Sequence, residues 1–230
     1  MEKRYDLNLF ASPLIVIQTD EKDHKKIYEE YIDKVYDYKN KSIKIHNGDF
    51  HKHHYVSDTN GYTSFYNHES LLENNQFKDL ISYFNITIAK HLCNKEHKDQ
   101  INLKWMDCWF NIYSKNENVE EHFHPNSVIS GVYYLKCPKN CGDIIFLDQL
   151  YSFKNYCKNL SSLKTFIYPQ KFRLTPKNGM LILFPSWLNH KTDPNLSDED
   201  RIVFSFNIVP VTDNFEDDNL GPAGYFKYFK

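Results

Sequence analysis

Apolar residues recur at helical spacing in the first hundred positions and alternate with polar ones afterwards, so the period of the pattern divides the chain in two. From Asp20 to Lys41, Ile27, Tyr31 and Val35 stand four apart among charged residues, which predicts an amphipathic helix. Ser70 opens a second such stretch as a candidate cap, and Leu72, Phe77, Leu80, Ile81, Phe84, Ile88 and Leu92 predict a second helix. Between them, residues 42–66 hold His46, His51, His53 and His54 without period and read as loop with short strands. After residue 100 come INLKWMDCWFNIYS, HFHPNSVISGVYYLKC, GDIIFLD, KTFIYPQKFRLTP, GMLILFPS and RIVFSFNIVPV. These are short aromatic and β-branched runs, a succession of strands interrupted at residues 151–163 by a short helix or an elaborated loop. Helices followed by strands predict an α+β chain whose helices cover one face of a barrel or sandwich. No repeat or linker breaks residues 1–230, so one domain is expected, with a helical part at 1–100 and a strand core at 101–212.

Composition narrows the class. Of 230 residues, 41% are hydrophobic and 16% aromatic, enough to fill one core. The formal charge is 28 − 30 = −2 with both signs interspersed, so nucleic acid is not an expected partner. No apolar run approaches the roughly 20 residues that span a bilayer, and the start is too short in apolar residues for a signal peptide. A soluble, cytoplasmic protein without membrane association is expected. Five cysteines are too few and too scattered for a disulfide framework, so reduced thiols are the default. Cys137 and Cys141 in CPKNC read as two thiols beside a turn, with a metal or redox role as the alternative.

Candidate chemistry rests on histidine. His122 and His124 flank Phe123, and strand alternation would put both imidazoles on one face. His190 stands where an apolar run ends in GMLILFPSWLNH, a suitable rim for a ligand. In RIVFSFNIV, alternation places Arg201, Val203, Ser205 and Asn207 on a common face. A guanidinium on an apolar wall needs an anion, and its planar fork suits a carboxylate. The competing reading is an exposed ion pair between Arg201 and Asp198, Glu199 or Asp200.

Taken in order, HFHPNSVISGVYYL, GDIIFLD, GMLILFPSWLNH and RIVFSFNI resemble the 2-oxoglutarate/iron(II) oxygenase superfamily. More narrowly, they look like a family of oxygenases of bacteria and marine phages related to the prolyl hydroxylases. The resemblance implies a double-stranded β-helix, a cupin-like jelly-roll. It implies iron(II), 2-oxoglutarate and O2 as cofactor and cosubstrates, and a bacterial or phage-infected host cytoplasm. By the resemblance, His122, His124 and His190 hold the metal, and Arg201 and Tyr134 hold the far carboxylate of 2-oxoglutarate. Ser205 is a second contact, with Asn111, Tyr113 and Asn207 near the same pocket. The family's usual second ligand is Asp or Glu, whereas this chain has His124, so Asp107, Asp143 or Asp148 stands as the alternative ligand.

The implied activity is hydroxylation of an amino-acid side chain in a protein or peptide, or of a small metabolite, with release of succinate and CO2. Two other readings stay open: a non-catalytic metal-binding jelly-roll, and a cosubstrate-independent three-histidine iron dioxygenase. His51, His53 and His54 are either a polar loop or a second metal cluster. Trp105, Trp109 and Trp187 read as core, with Trp187 also beside the substrate entrance.

Overall fold

The computed structural model describes residues 12–45, 61–65, 70–92, 101–148 and 171–212. His46, His51, His53 and His54 and the 151–163 segment lie outside the described residues.

Helix α1 spans Glu21–Ile45. Asp20 caps it, its Oδ1 accepting the Asp23 amide at 3.0 Å, and Glu21 and Asp23 place negative charge at the positive end of the helix dipole. Helix α2 spans Lys78–Leu92, so Ser70 is not its cap. Ser70 Oγ accepts the Leu72 amide at 3.2 Å within a preceding turn, and a second turn at Asn74 leads into the helix. Turn geometry at residues 71–77 therefore overrides the helical spacing of Leu72 and Phe77.

The strands are β1 (Ile15–Gln18), β2 (Tyr62–Thr63), β3 (Ile101–Tyr113), β4 (Ile129–Lys136), β5 (Ile144–Leu147), β6 (Lys171–Leu174), β7 (Met180–Pro185), β8 (His190–Thr192) and β9 (Arg201–Thr212). They form a six-stranded antiparallel sheet in the order β1-β7-β4-β9-β3-β2 and a three-stranded one in the order β6-β5-β8. Two expected boundaries shift. The run beginning at His122 joins the large sheet only at Ile129, and His190 opens strand β8 rather than sitting in a turn.

Alternation along β9 divides the interior. Ile202, Phe204, Phe206 and Ile208 turn outward to meet Tyr31 and Val35 of α1 and Phe84 and Ile88 of α2 in one apolar cluster. Phe84 and Phe204 are 0% and 1% exposed, and burying each such ring stabilises by roughly 1.5–3 kcal/mol. The opposite face carries Val203, which joins Tyr134, Ile182 and Phe184 of the large sheet and Ile144 and Phe146 of the small one in a second cluster. The layers are therefore helices, large sheet, small sheet, with helices on one face of a jelly-roll as expected. Among the described residues, no helix is long and apolar enough to cross a membrane.

Candidate metal centre and anion pocket

His122 and His190 come from distant parts of the chain and are held by the backbone. The His122 amide donates to the His190 carbonyl at 3.0 Å, and the His190 amide donates back at 2.9 Å. Two residues on, the His124 amide donates to Ser186 O at 2.8 Å. The segment is extended without joining a continuous ladder, so Phe123 still points out, 52% exposed, while both imidazoles point in. The ring centroids lie 4.2 Å (His122–His190), 5.0 Å (His122–His124) and 5.1 Å (His124–His190) apart.

One nitrogen from each ring falls within 4.8 Å of the others, close enough to share an ion. His122 Nδ1 lies 2.8 Å from Glu120 O and His190 Nδ1 lies 2.9 Å from Leu188 O. A carbonyl only accepts, so each Nδ1 carries the proton and leaves its Nε2 lone pair free for a metal. Burial lowers the pKa of all three histidines, and their mutual proximity lowers His124, to about 3, and His190 further. Three neutral imidazoles fit a divalent transition metal such as iron(II). Among the described residues no carboxylate joins them. Asp107 accepts from Asn207 Nδ2 at 3.0 Å, and Asp143 accepts from Thr175 at 2.8 Å, next to Arg173.

A cavity of about 330 Å³ leads from the histidines to Arg201. Arg201 is 1% exposed, so the reading as an exposed ion pair fails. Its acidic neighbours in sequence have other partners: Asp198 pairs with Lys115, Glu199 with Lys136, and Asp200 accepts from Tyr36 and Ser114. Among the described residues, Arg201 donates only to neutral oxygens: Cys141 O at 2.6 Å, Asp193 O at 3.3 Å and Thr192 Oγ1 at 3.0 Å. Its guanidinium also sits 4.4 Å from the centre of the Tyr113 ring.

Thr192 and His190 are two residues apart on β8, so they share a face at a separation of roughly 6.6 Å. The cation and the histidines therefore stand at the two ends of a short apolar passage. Tyr113 and Tyr134 are buried beside it. Burial pushes the Tyr113 phenol up to about 12 and raises Tyr134 further, so both stay neutral hydrogen-bond donors. Asn111 and Ser205 also line the cavity. Asn207 shares their face but is turned away into a chain with Ser130 (2.7 Å) and Asp107 (3.0 Å), and does not line it. The register explains the convergence, since Tyr113 faces Arg201, Asn111 faces Val203 and Trp109 faces Ser205 across β3 and β9.

At the mouth, Trp109 lies 5.7 Å from the His124 ring and 4.9 Å from Phe65. Phe65 had no signal in the sequence, because it arrives through the long-range pairing of β2 with β3. Trp109 is buried, but Trp187 is 48% exposed and does not belong to the core.

Residues 107–207 match the family described as "Putative 2OG-Fe(II) oxygenase". This core is similar to the 2OG-Fe(II) oxygenases. The match covers the three histidines and Arg201, and iron(II), 2-oxoglutarate and O2 are the family's cofactor and cosubstrates. Among solved structures, the α-ketoglutarate-dependent epimerase SnoN of nogalamycin biosynthesis is 10% identical, with a TM-score of 0.53 over 86% of this chain and 76% of that one. HygX from Streptomyces hygroscopicus, solved with nickel and 2-oxoglutarate bound, is 11% identical, with a TM-score of 0.52 over 86% and 83%. At these identities the two relatives share the jelly-roll fold. An oxidoreductase of the 2OG-Fe(II) oxygenase family from Burkholderia pseudomallei is 10% identical with a TM-score of 0.44. The alignment covers 60% of this chain and only 58% of the length of that one. No curated protein matches the sequence.

Proposed function

We propose that this oxygenase hydroxylates an apolar C–H position of a peptide side chain or small metabolite, using His122, His124 and His190 for iron and Arg201 for the far carboxylate of 2-oxoglutarate. The observation that carries the reading is the placement of Arg201. Among the described residues it is a buried cation with neutral partners, and one of them, Thr192, stands two residues from His190 on β8. A five-carbon dicarboxylate suits that passage, with one end at the histidines and the other on the guanidinium fork. When bound, iron(II) with O2 and 2-oxoglutarate supplies the oxidising chemistry for C–H hydroxylation, with succinate and CO2 released.

The chain's own residues then do the positioning. Tyr134 and Tyr113, neutral and buried, donate to carboxylate oxygens beside Arg201, with Ser205 and Asn111 along the wall. Val132, Val203 and Phe184 keep the passage dry, which strengthens the carboxylate–guanidinium attraction. At the mouth, Trp109, Phe65 and Phe123 offer apolar faces to the substrate group.

The test is anaerobic addition of iron(II) and 2-oxoglutarate to the purified apoprotein. A weak visible charge-transfer band is expected. Bound iron without a band would refute the cosubstrate site. The three-histidine set favours a second reading, a dioxygenase that needs no cosubstrate, and O2 uptake independent of 2-oxoglutarate would select it.

A further inference from the structure

Beyond the histidines, the chain brings a second pair of reactive groups together. Cys137 directly follows β4, Cys141 lies one turn later, and their Sγ atoms are 2.9 Å apart. Both are free thiols. Backbone contacts hold them in place. The Cys141 amide donates to Pro138 O at 3.2 Å, the Cys137 amide to Asn178 Oδ1 at 2.7 Å, and the Leu196 amide to Asn140 O at 2.9 Å. Asn140 (φ 64°) and Gly142 (φ 86°) adopt the left-handed conformation that closes the turn. A Cβ on Gly142 would meet Asp193 O at 2.5 Å, so the turn is packed down against the segment after β8.

The two sulfurs face different surroundings. Cys137 is half-buried and lines a second cavity of about 740 Å³, next to Lys136, Asn178 and the start of α1. Cys141 is 4% exposed, and its carbonyl accepts Arg201 Nη1 at 2.6 Å.

We propose that Cys137 and Cys141 form a reversible redox site, closing to a disulfide under a hydroperoxide and tuning the Arg201 anion pocket next to it. The hydrogen bond from Cys137, helped by Arg201, holds the Cys141 thiol down at about 7, while the same bond and burial raise Cys137. Cys141 is then the nucleophile and Cys137 the resolving thiol, and a thiol titrating near ambient pH is well suited to attack. The Cys141 thiolate attacks one peroxide oxygen, breaking the O–O bond to give a sulfenic acid and hydroxide. Cys137 sulfur then attacks the sulfenic sulfur, forming the S–S bond and expelling hydroxide, which leaves as water with the Cys137 proton. In sum, thiolate and thiol lose two electrons and one proton, and hydrogen peroxide becomes one water and one hydroxide. An external dithiol reverses the change. Sulfurs already in contact need only a small approach to reach a disulfide bond length of about 2.05 Å.

The link to the pocket rests on the cosubstrate reading above. A thiolate beside Arg201 competes with a carboxylate for the same guanidinium field, and oxidation removes that charge. 2-Oxoglutarate is therefore expected to bind about threefold tighter to the oxidised protein, the size of one partly screened unit charge.

The experiment oxidises the full metal-free chain with stoichiometric hydrogen peroxide, alkylates the remaining thiols and digests with trypsin. Cleavage after Lys136 and Lys139 puts the two cysteines on separate peptides, so a disulfide appears as a reducible cross-link between them. Recovery of both as alkylated thiols, or of Cys141 as an unlinked sulfinic acid, would overturn the site. Peroxide is then removed and the protein loaded with nickel(II) to titrate 2-oxoglutarate. Equal affinity of reduced and cross-linked protein would overturn the coupling to Arg201. Cross-linking with no 2-oxoglutarate bound by either form would instead sink the cosubstrate reading and leave the redox site standing. Cys137→Ser, which lacks the resolving thiol, should give no reducible cross-link after peroxide, and a cross-link to Cys141 that persisted in it would overturn the pairing.

Discussion

Replacing Arg201 with methionine keeps an unbranched apolar stem on β9 and deletes the guanidinium. Two consequences follow and can be measured apart. Cys141 O, Asp193 O and Thr192 Oγ1 lose a donor at 2.6, 3.3 and 3.0 Å. Buried acceptors left without a partner cost roughly 1–3 kcal/mol each, partly offset because a buried charge no longer has to be desolvated. A net loss of about 2–4 kcal/mol lowers Tm by roughly 5–15 °C at this chain size. The second consequence concerns the cosubstrate. Truncating one partner of a buried hydrogen-bonded charge pair costs about 2–5 kcal/mol, which is roughly 30-fold to several-thousand-fold in Kd. Arg201→Lys retains the charge without the fork and should fall between the two. The assay is an anaerobic titration of 2-oxoglutarate into the iron(II)-loaded protein, read by the visible band, with Tm recorded in parallel. A methionine variant that stays folded and binds within about threefold of wild type would refute Arg201 as the anchor.

Further outcomes follow from the same geometry. His190→Ala removes one of the three proposed ligands and the imidazole whose centre lies 4.2 Å from that of His122, and should abolish stoichiometric iron binding in a metal assay; retained iron-dependent succinate formation would contradict the assignment. His124→Asp places a carboxylate at the proposed second ligand position and should keep iron and 2-oxoglutarate turnover, whereas His124→Ala should lose both in a decarboxylation assay. Ser130, 1% exposed, donates to Asn207 Oδ1 at 2.7 Å and touches Ser186 Oγ at 2.9 Å. Ser130→Ala is therefore expected to cost about 1–3 kcal/mol in chemical denaturation, and an unchanged midpoint would show the chain to be dispensable. His24, His122, His124 and His190 all have pKa values lowered by burial, so each binds its proton more readily when unfolded. The metal-free protein should thus keep a constant Tm above about pH 6.5 and lose stability as pH falls towards about 5.5; a flat profile there would argue that these rings are solvated.

What the sequence made legible were features with a local period. Arg201, Val203 and Ser205 share a face because a strand alternates, and His122 and His124 converge for the same reason although their segment joins no continuous ladder. The helix beginning after Asp20 announced itself by spacing. Features made by distant pairing left no trace in local period, and only the family resemblance joined His190 to His122 and His124. The approach of His190 to His122 depends on a single bridge between segments, and Phe65 reaches Trp109 only because a two-residue strand pairs with β3. Asn207 fits the alternating pattern, yet hydrogen bonds to Ser130 and Asp107 pull its side chain out of the cavity, a choice no periodicity encodes. Ser70 looked like a helix cap but caps a turn, because Asn74 offers the backbone a competing bend first.

In the proposed site, His124 in place of a carboxylate ligand changes the electrostatics of the whole pocket. With three neutral imidazoles, a divalent metal would keep its full charge, and Arg201, bonded to Thr192 two residues from His190, adds a further positive charge at the other end of the cavity. Walls such as Val132, Val203 and Phe184 screen neither charge, so metal and guanidinium would repel each other across a poorly polarisable passage. A dicarboxylate touching both ends removes that repulsion and is attracted by each. By linkage, whatever factor the metal adds to cosubstrate affinity, the cosubstrate returns to metal affinity. A carboxylate at the position of His124 would weaken this mutual dependence by neutralising the metal in advance. The three-histidine set therefore makes the proposed site an anion trap whose metal and cosubstrate hold one another in place.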